Sequence, residues 1–407
     1  MKRIYLDHAA TTPVRPEVKK IMDAFQSDYF GNPSAIYFEG RQAKAALDNA
    51  RKLIAKILSV EADEIIFTNG GTESINLALL GASRQYQNLF KKPRLITSRI
   101  EHPAVLETMK QLTKEGFEVI YLPVDKFGVV KTEELKKALN KQTLLISLMY
   151  ANNEIGTIQP IAKIAKIIKD FKNRAGTKAQ TQIPQFPLFH TDACQAAGSL
   201  EIRPAKLGVD LMSLNASKIY GPKASGLLYL KKGIELKPII LGGGQENKLR
   251  SGTENVASWI GLAEALRLGQ KEKATETKRL RALRDYFIKN LLKIPKTFLN
   301  GHPRNRLVNN INVTILDVEG ESLILQLDKY GVSASTGSAC HSKILQPSHV
   351  LMAIGLDPAI IHGSLRLTLG RDTTKKEVNS TLKIINKAVK ELRELSAVNL
   401  QNNENKK

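Results

Sequence analysis

Five short apolar runs limit the fold of this chain more than any other feature: EIIFT (64–68), RLITS (94–98), TLLISLMY (143–150), PLFHTD (187–192) and DLMSL (210–214). Each is short for a core helix and too apolar for a strand with one wet face, which is the pattern of strands buried on both sides. Other stretches carry helical spacing, as in Val18, Ile21, Met22 and Phe25, or Leu47, Ala50, Leu53, Ile54 and Ile57. Strands alternating with helices predict an α/β fold with a mainly parallel central sheet and helices on both faces.

The chain is long enough for more than that sheet, since 407 residues with 42% hydrophobic content fill about two domains. A helical stretch from about Asn255 to Leu292, with Leu280, Leu283, Phe287 and Leu291 on one side, leads away from the sheet. Beyond it INVTI (311–315) and SLRLTL (364–369) alternate like half-solvated strands, followed by a helix carrying Val378, Leu382, Ile385, Val389 and Leu392. The expected organisation is a large domain over 16–258 and a smaller α+β domain over 259–398 joined by the N-terminal segment 1–15. The stretch NRAGTKAQTQIPQFP (173–187) reads as a surface loop, and 399–407 as a flexible tail. No internal repeat is evident.

Composition excludes several classes. The apolar run of MKRIYLDHAATTP stops at Asp7, short of a secretory core, and no run approaches the roughly 18 residues of a membrane helix. Two cysteines, Cys194 and Cys340, make a poor disulfide framework, so a reducing cytoplasm is expected. The net charge of +22 is spread along the whole chain with little aromatic interleaving. General solvation is therefore preferred to direct nucleic-acid binding.

The chemistry-bearing residues follow the strands, where open α/β sheets hold their ligands. In FTNGGTES (67–74) a strand end runs through two glycines into a helix opened by Thr72, and such a turn holds phosphate. His102, Asn153, Asp192, Gln195 and Lys218 come after later strands. A lone histidine or aspartate there is commonly a core or capping residue, but Lys218, between LMSL and a Gly-Pro turn, is poorly placed for a solvated charge. Together they supply what pyridoxal phosphate requires: a lysine for its Schiff base, an acid that keeps the ring nitrogen protonated, and a phosphate cradle.

YLDHAATTP, TNGGTES, EHPAV, NNEIGTIQPI, HTDACQ, SKIYGPK, RSGTENV, GSAC and LRLTLGR, in that order from about Tyr5 to Leu395, resemble the cysteine desulfurases. These are the class V branch of the aminotransferase-fold pyridoxal phosphate enzymes. The resemblance implies that Lys218 carries the cofactor and shuttles protons, that Asp192 pairs with the ring nitrogen, and that His102 stacks on the ring and is a catalytic residue for acid–base steps. It gives Gln195 the phenolate oxygen, places Asn153 near cofactor and substrate carboxylate, and assigns phosphate to Gly71 and Thr72. Thr253 would reach the phosphate of the other subunit of a homodimer, and Arg366 would take the substrate carboxylate. Leu365, Leu367 and Leu369 face one way along LRLTL, which turns Arg366 and Thr368 the other way. No metal is implied.

One departure stands out. The family pattern Ser-x-His-Lys is Asn215-Ala216-Ser217-Lys218 here, so Asn215 and Ser217 are candidate phosphate donors. The stretch SASTGSACHS (333–342) sets a thiol among small residues, which suits a loop rather than a core. By the resemblance, Cys340 attacks the sulfur of substrate cysteine, releases alanine and holds the sulfur as a persulfide. SACHSKILQPSH (338–349) is similar to the longer-loop desulfurases. His341 either lowers the thiol pKa or is a solvated loop residue. Cys194 inherits no catalytic part.

The expected function is thus a cysteine desulfurase that hands sulfur to an iron–sulfur scaffold or a tRNA-thiolation enzyme. The alternatives are a selenocysteine lyase or cysteine sulfinate desulfinase on the same scaffold, and a non-catalytic basic binding module.

Overall fold

A computed structural model describes residues 3–174, 184–336 and 347–395. Cys340, His341, most of the predicted loop at 173–187 and the predicted tail lie outside the described residues.

β1 (Ile4–Tyr5) belongs to the N-terminal segment. The central sheet contains β2 (Ile65–Thr68), β3 (Arg94–Ser98), β4 (Glu118–Leu122), β5 (Thr143–Ser147), β6 (Leu188–Asp192), β7 (Leu211–Asn215) and β8 (Gly226–Leu230). Their order is β2-β8-β7-β6-β5-β3-β4, and β8 alone runs against its neighbours. The expected mainly parallel sheet is therefore present. Alternate residues feed two separate cores: Phe67, Ile96, Ile146, Phe189 and Met212 on one face, Ile66, Leu95, Leu145, Leu188 and Leu211 on the other. Helices cover both faces. β4 and β8 were not anticipated. β8 is the return of a hairpin from β7, and β4 is a partly exposed edge strand.

One helix, Val256–Leu291, links the two halves of the molecule. Trp259, Leu262 and Leu266 at its start pack into the core on one face of the large sheet, whereas Phe287, Ile288 and Leu291 pack under a second sheet. That sheet holds β9 (Thr297–Leu299), β10 (Asn310–Ile315) and, after the short β11 (Val332–Ser333) that pairs with β1, β12 (Ser364–Thr368). Its order is β12-β10-β9, antiparallel throughout. Ile311, Val313, Ile315, Leu365 and Leu367 face the helices Gly320–Lys329 and Lys375–Leu395 in one core.

The expectation that β10 and β12 are half-solvated is corrected here, because every residue of both strands is buried. Their polar face does alternate with the apolar one, but it lies against the loop after β5 and the N-terminal segment. Asn310 and Asn312 donate to the Glu154 carbonyl, both at 3.1 Å, and Thr368 N donates to the Leu6 carbonyl at 2.7 Å.

Candidate active site

The carboxyl ends of β2, β3, β5, β6 and β7 share one edge of the sheet, so the loops that follow them converge. After β2, Gly70 takes φ 123°, a conformation closed to side chains with a Cβ, and turns the chain into the helix Gly71–Tyr86. At Gly71 a Cβ would fall 2.7 Å from Cys194 Sγ and 3.5 Å from Asn215 Nδ2. The bare backbone amides of that first turn thus lie against the ends of β6 and β7. Asn215 Oδ1 is buried and has no hydrogen-bond partner among the described residues. Thr72 is exposed at the mouth of the turn, and Glu73 in the same turn is neutralised by Arg250 at 3.0 Å.

Asp192 ends β6, buried, and its Oδ1 accepts from Cys194 N at 2.9 Å. Burial, reinforced by this carboxylate, pushes the Cys194 thiol well up, so it stays protonated and inert. Two residues before Asp192, His190 is wholly buried between Ser147 Oγ at 2.8 Å and Ser213 Oγ at 3.0 Å, and Ser213 is 2.7 Å from Ser74 Oγ. Burial lowers the His190 pKa to about 4, which makes it a neutral relay across β5, β6 and β7 that reaches the first turn of the helix at Gly71.

The N-terminal segment closes over this edge. Lys218 Nζ donates to the Ala10 carbonyl, and Gln195 Nε2 donates to the Ala9 carbonyl at 3.0 Å. The Ser217 carbonyl accepts from Thr12 N at 2.8 Å, so the loop of Lys218 is held by backbone pairing. Lys218 and Gln195 also line a cavity of about 80 Å³ between the halves of the molecule.

After β3, His102 caps the helix Pro103–Lys114, its Nδ1 accepting from Ala104 N at 3.1 Å. A neutral ring in that pose carries its proton on Nε2. Its neighbour Glu101 is 1% exposed and receives Met149 N on both oxygens, at 3.1 and 2.9 Å, with Ser98 Oγ on one of them. Burial raises the Glu101 pKa to about 8, and Asp192 adds to the effect. Asn153, half-buried, presents its carbonyl to Arg366 Nη1 at 3.3 Å. Arg366 reaches in from β12, 3% exposed, with Nη2 2.7 Å from Asp7 Oδ1.

Gly71, Asp192, Asn215, Gln195, Lys218, His102, Asn153 and Arg366 therefore meet where the two halves and the N-terminal segment join. Thr253 is not tied to this group: it stands exposed beside Gly252. Sequence reasoning missed Asp7, Glu101 and His190, although YLDHAATTP, EHPAV and HTDACQ contain them.

The Aminotransferase class-V family model matches residues 4–380. The cysteine desulfurase IscS of Dictyoglomus turgidum is 49% identical over 398 residues, covering 97% of each chain. That of Methanosarcina thermophila is 49% identical over 395 residues, 97% of this chain and 94% of its own. The chain belongs to the cysteine desulfurases of the class-V aminotransferase family. A solved NifS-like protein has the same fold, with a TM-score of 0.87 at 36% identity over 95% of this chain and 99% of its own.

Enzymes of this family work with pyridoxal phosphate, and the residues present fit that group. The cradle at Gly71 admits no Cβ, the donor Nδ2 of Asn215 faces it, and a buried acid and an amine lie on adjoining loops. Among the described residues no cluster of three His, Cys, Asp or Glu could hold a metal ion, and no helix is long and apolar enough to cross a membrane.

Proposed function

We propose that this chain converts L-cysteine to L-alanine with pyridoxal 5'-phosphate and passes the sulfur, held as a persulfide on Cys340, to an acceptor. The cofactor, when bound, supplies an electron sink for cleavage beside the α-carbon of the substrate. The chain's own groups do the rest. Amides at Gly71 and Thr72, with Asn215 and Ser217, hold phosphate, Asp192 keeps a proton on the ring nitrogen, Gln195 donates to the phenolate oxygen, and His102 covers the ring. Lys218 binds the cofactor and moves protons, and Arg366, with Asn153, takes the substrate carboxylate.

The reaction balances as two bonds broken, Cβ–S of the substrate and S–H of Cys340, and two formed, S–S and the new C–H of the alanine methyl group. The Cβ–S bond of cysteine breaks, an S–S bond to Cys340 forms, and the proton of the Cys340 thiol ends on the methyl group of alanine. The observation that carries the reading is the anchoring of both flanks of segment 337–346. Upstream, Ser335 pairs with Arg366 through N–H···O bonds of 3.2 and 2.6 Å. Downstream, His349 Nε2 is 2.9 Å from the Glu101 carbonyl, next to His102. The described flanks on either side of Cys340 are thus held beside Arg366 and next to His102, the groups proposed to take substrate and cofactor.

A homodimer is part of the proposal. Phe30, Ile36 and Phe38 are 71%, 89% and 64% exposed, an apolar surface unusual for a monomer, and the exposed Thr253 is available to a second copy's phosphate. The acceptor would be an iron–sulfur scaffold or a tRNA-thiolation enzyme, in a reducing cytoplasm, with the large and small domains dividing near 258. The deciding experiment is cysteine-dependent sulfide release. Cys340→Ser is expected to keep bound cofactor but release almost no sulfide, and wild type should carry added sulfur on the Cys340 peptide and none on Cys194. Sulfide release by the serine variant at near wild-type rate would sink the assignment.

A further inference from the structure

Asp7 follows β1 and meets Arg366 from the N-terminal segment. It is fixed in place: the segment around it runs beside β12, with a bridge from Asp7 to Thr368 and Ala9 N donating to Thr368 Oγ1 at 2.9 Å. Its side chain is 16% exposed, and that of its partner Arg366 is 4% exposed. Arg366 spends Nη2 on Asp7 and Nη1 on the Asn153 carbonyl, whereas its Nε is buried without a hydrogen-bond partner among the described residues. Two acceptors therefore orient a five-donor fork and leave its buried Nε–H unsatisfied, and an unsatisfied guanidinium donor fits a carboxylate.

Orientation alone would need only a carbonyl or an amide oxygen at position 7. A carboxylate does something more, because it cancels the charge of Arg366 before any substrate arrives. A single substrate carboxylate still gains two charge-assisted hydrogen bonds. A second acidic group on the same substrate finds no surplus positive charge from this pair and meets the field of Asp7 in a poorly screened site.

We propose that Asp7 is a positioning and specificity-determining residue, which aims Arg366 at one carboxylate and selects amino acids with an uncharged side chain over dianionic ones. The inference rests on the reading of Arg366 as the carboxylate site. The test uses the cofactor-loaded enzyme and competitive inhibition of cysteine turnover by L-alanine and L-aspartate. Asp7→Asn keeps an oxygen near Nη2 and removes the charge, so the preference for L-alanine over L-aspartate should fall at least tenfold. Asp7→Glu restores the charge at the wrong reach, and should keep the wild-type preference while the KM for cysteine rises more than kcat falls. A preference within twofold of wild type in Asp7→Asn overturns the proposal. Arg366→Lys separates the two layers: if it raises KM while Asp7→Asn leaves the preference alone, only the role of Asp7 fails. If it leaves KM unmoved, the carboxylate site itself fails, and Asp7 with it.

Discussion

Glu101 offers a pH test of how the site is built. In the unfolded chain its carboxyl titrates at 4.5, whereas in the fold burial holds it near 8. Between those values the native state keeps a proton that the unfolded state has released, so rising pH removes stability across that window and the loss levels off above 8. At 1.36 kcal/mol per pH unit the ceiling on the loss is about 5 kcal/mol. His190 acts in the opposite sense. Its pKa of about 4 lies below the ordinary 6.5, so the unfolded chain binds a proton that the fold excludes, and stability rises with pH from about 4 to 6.5. The two effects nearly cancel below pH 6.5, and Glu101 shows alone above it. Glu101→Gln imitates the protonated acid, its oxygen accepting from Met149 N and its amide facing Ser98 Oγ. Urea midpoints at half-unit steps from pH 5 to 9 should show wild type and variant within about 1 kcal/mol at pH 5. The variant should then gain steadily on wild type up to pH 8. Parallel curves would refute the account, since they would mean that Glu101 is ionised in the fold at every pH.

Three further outcomes are expected. Lys218→Ala should lose the visible absorbance of bound cofactor and turn over no cysteine, measured by absorption spectrum and alanine release; turnover retained would move the site elsewhere. Gly71→Ala must push a Cβ to within 2.7 Å of buried Cys194 Sγ, so it should shift the first helical turn, cost about 1–3 kcal/mol and shed pyridoxal phosphate on dialysis. Asn215→Ala should also weaken cofactor retention, by about 1.5–3 kcal/mol, and a phosphate affinity unchanged by it would leave the cradle to the backbone amides.

The sheet was legible because a strand buried on both faces favours consecutive apolar residues, and β2, β3, β5, β6 and β7 each contain such a run. β8 escaped since GLLYL follows the Lys218 loop without a helix between, so the alternating rhythm gave it no slot. The loop residues of the site were legible one by one and acquired a common meaning only through the shared strand ends. Asp7 was not legible at all. Its partner lies 359 residues away, and no local pattern connects an acid after a two-residue strand with an arginine in β12.

The strands β10 and β12 show why alternation is an incomplete signal. A polar residue at every second position states that one face is polar, and water is the common reason, but a ligand site gives the same pattern. Here Asn312 and Thr314 in β10 and Arg366 and Thr368 in β12 are each 3% exposed or less. A face that polar cannot be buried unless its groups are paired, because each unpaired one would cost about 1–3 kcal/mol. Asn300, next to β9, donates to the Asn312 and Thr314 side-chain oxygens, and the other partners come from outside the small sheet: the Glu154 carbonyl for Asn312, the Leu6 carbonyl for Thr368 and Asp7 for Arg366. Pairing the face therefore fixes the small sheet against the loop after β5 and the N-terminal segment. Arg366, proposed to take the substrate carboxylate, is thereby held by the same set of hydrogen bonds that joins the halves of the molecule.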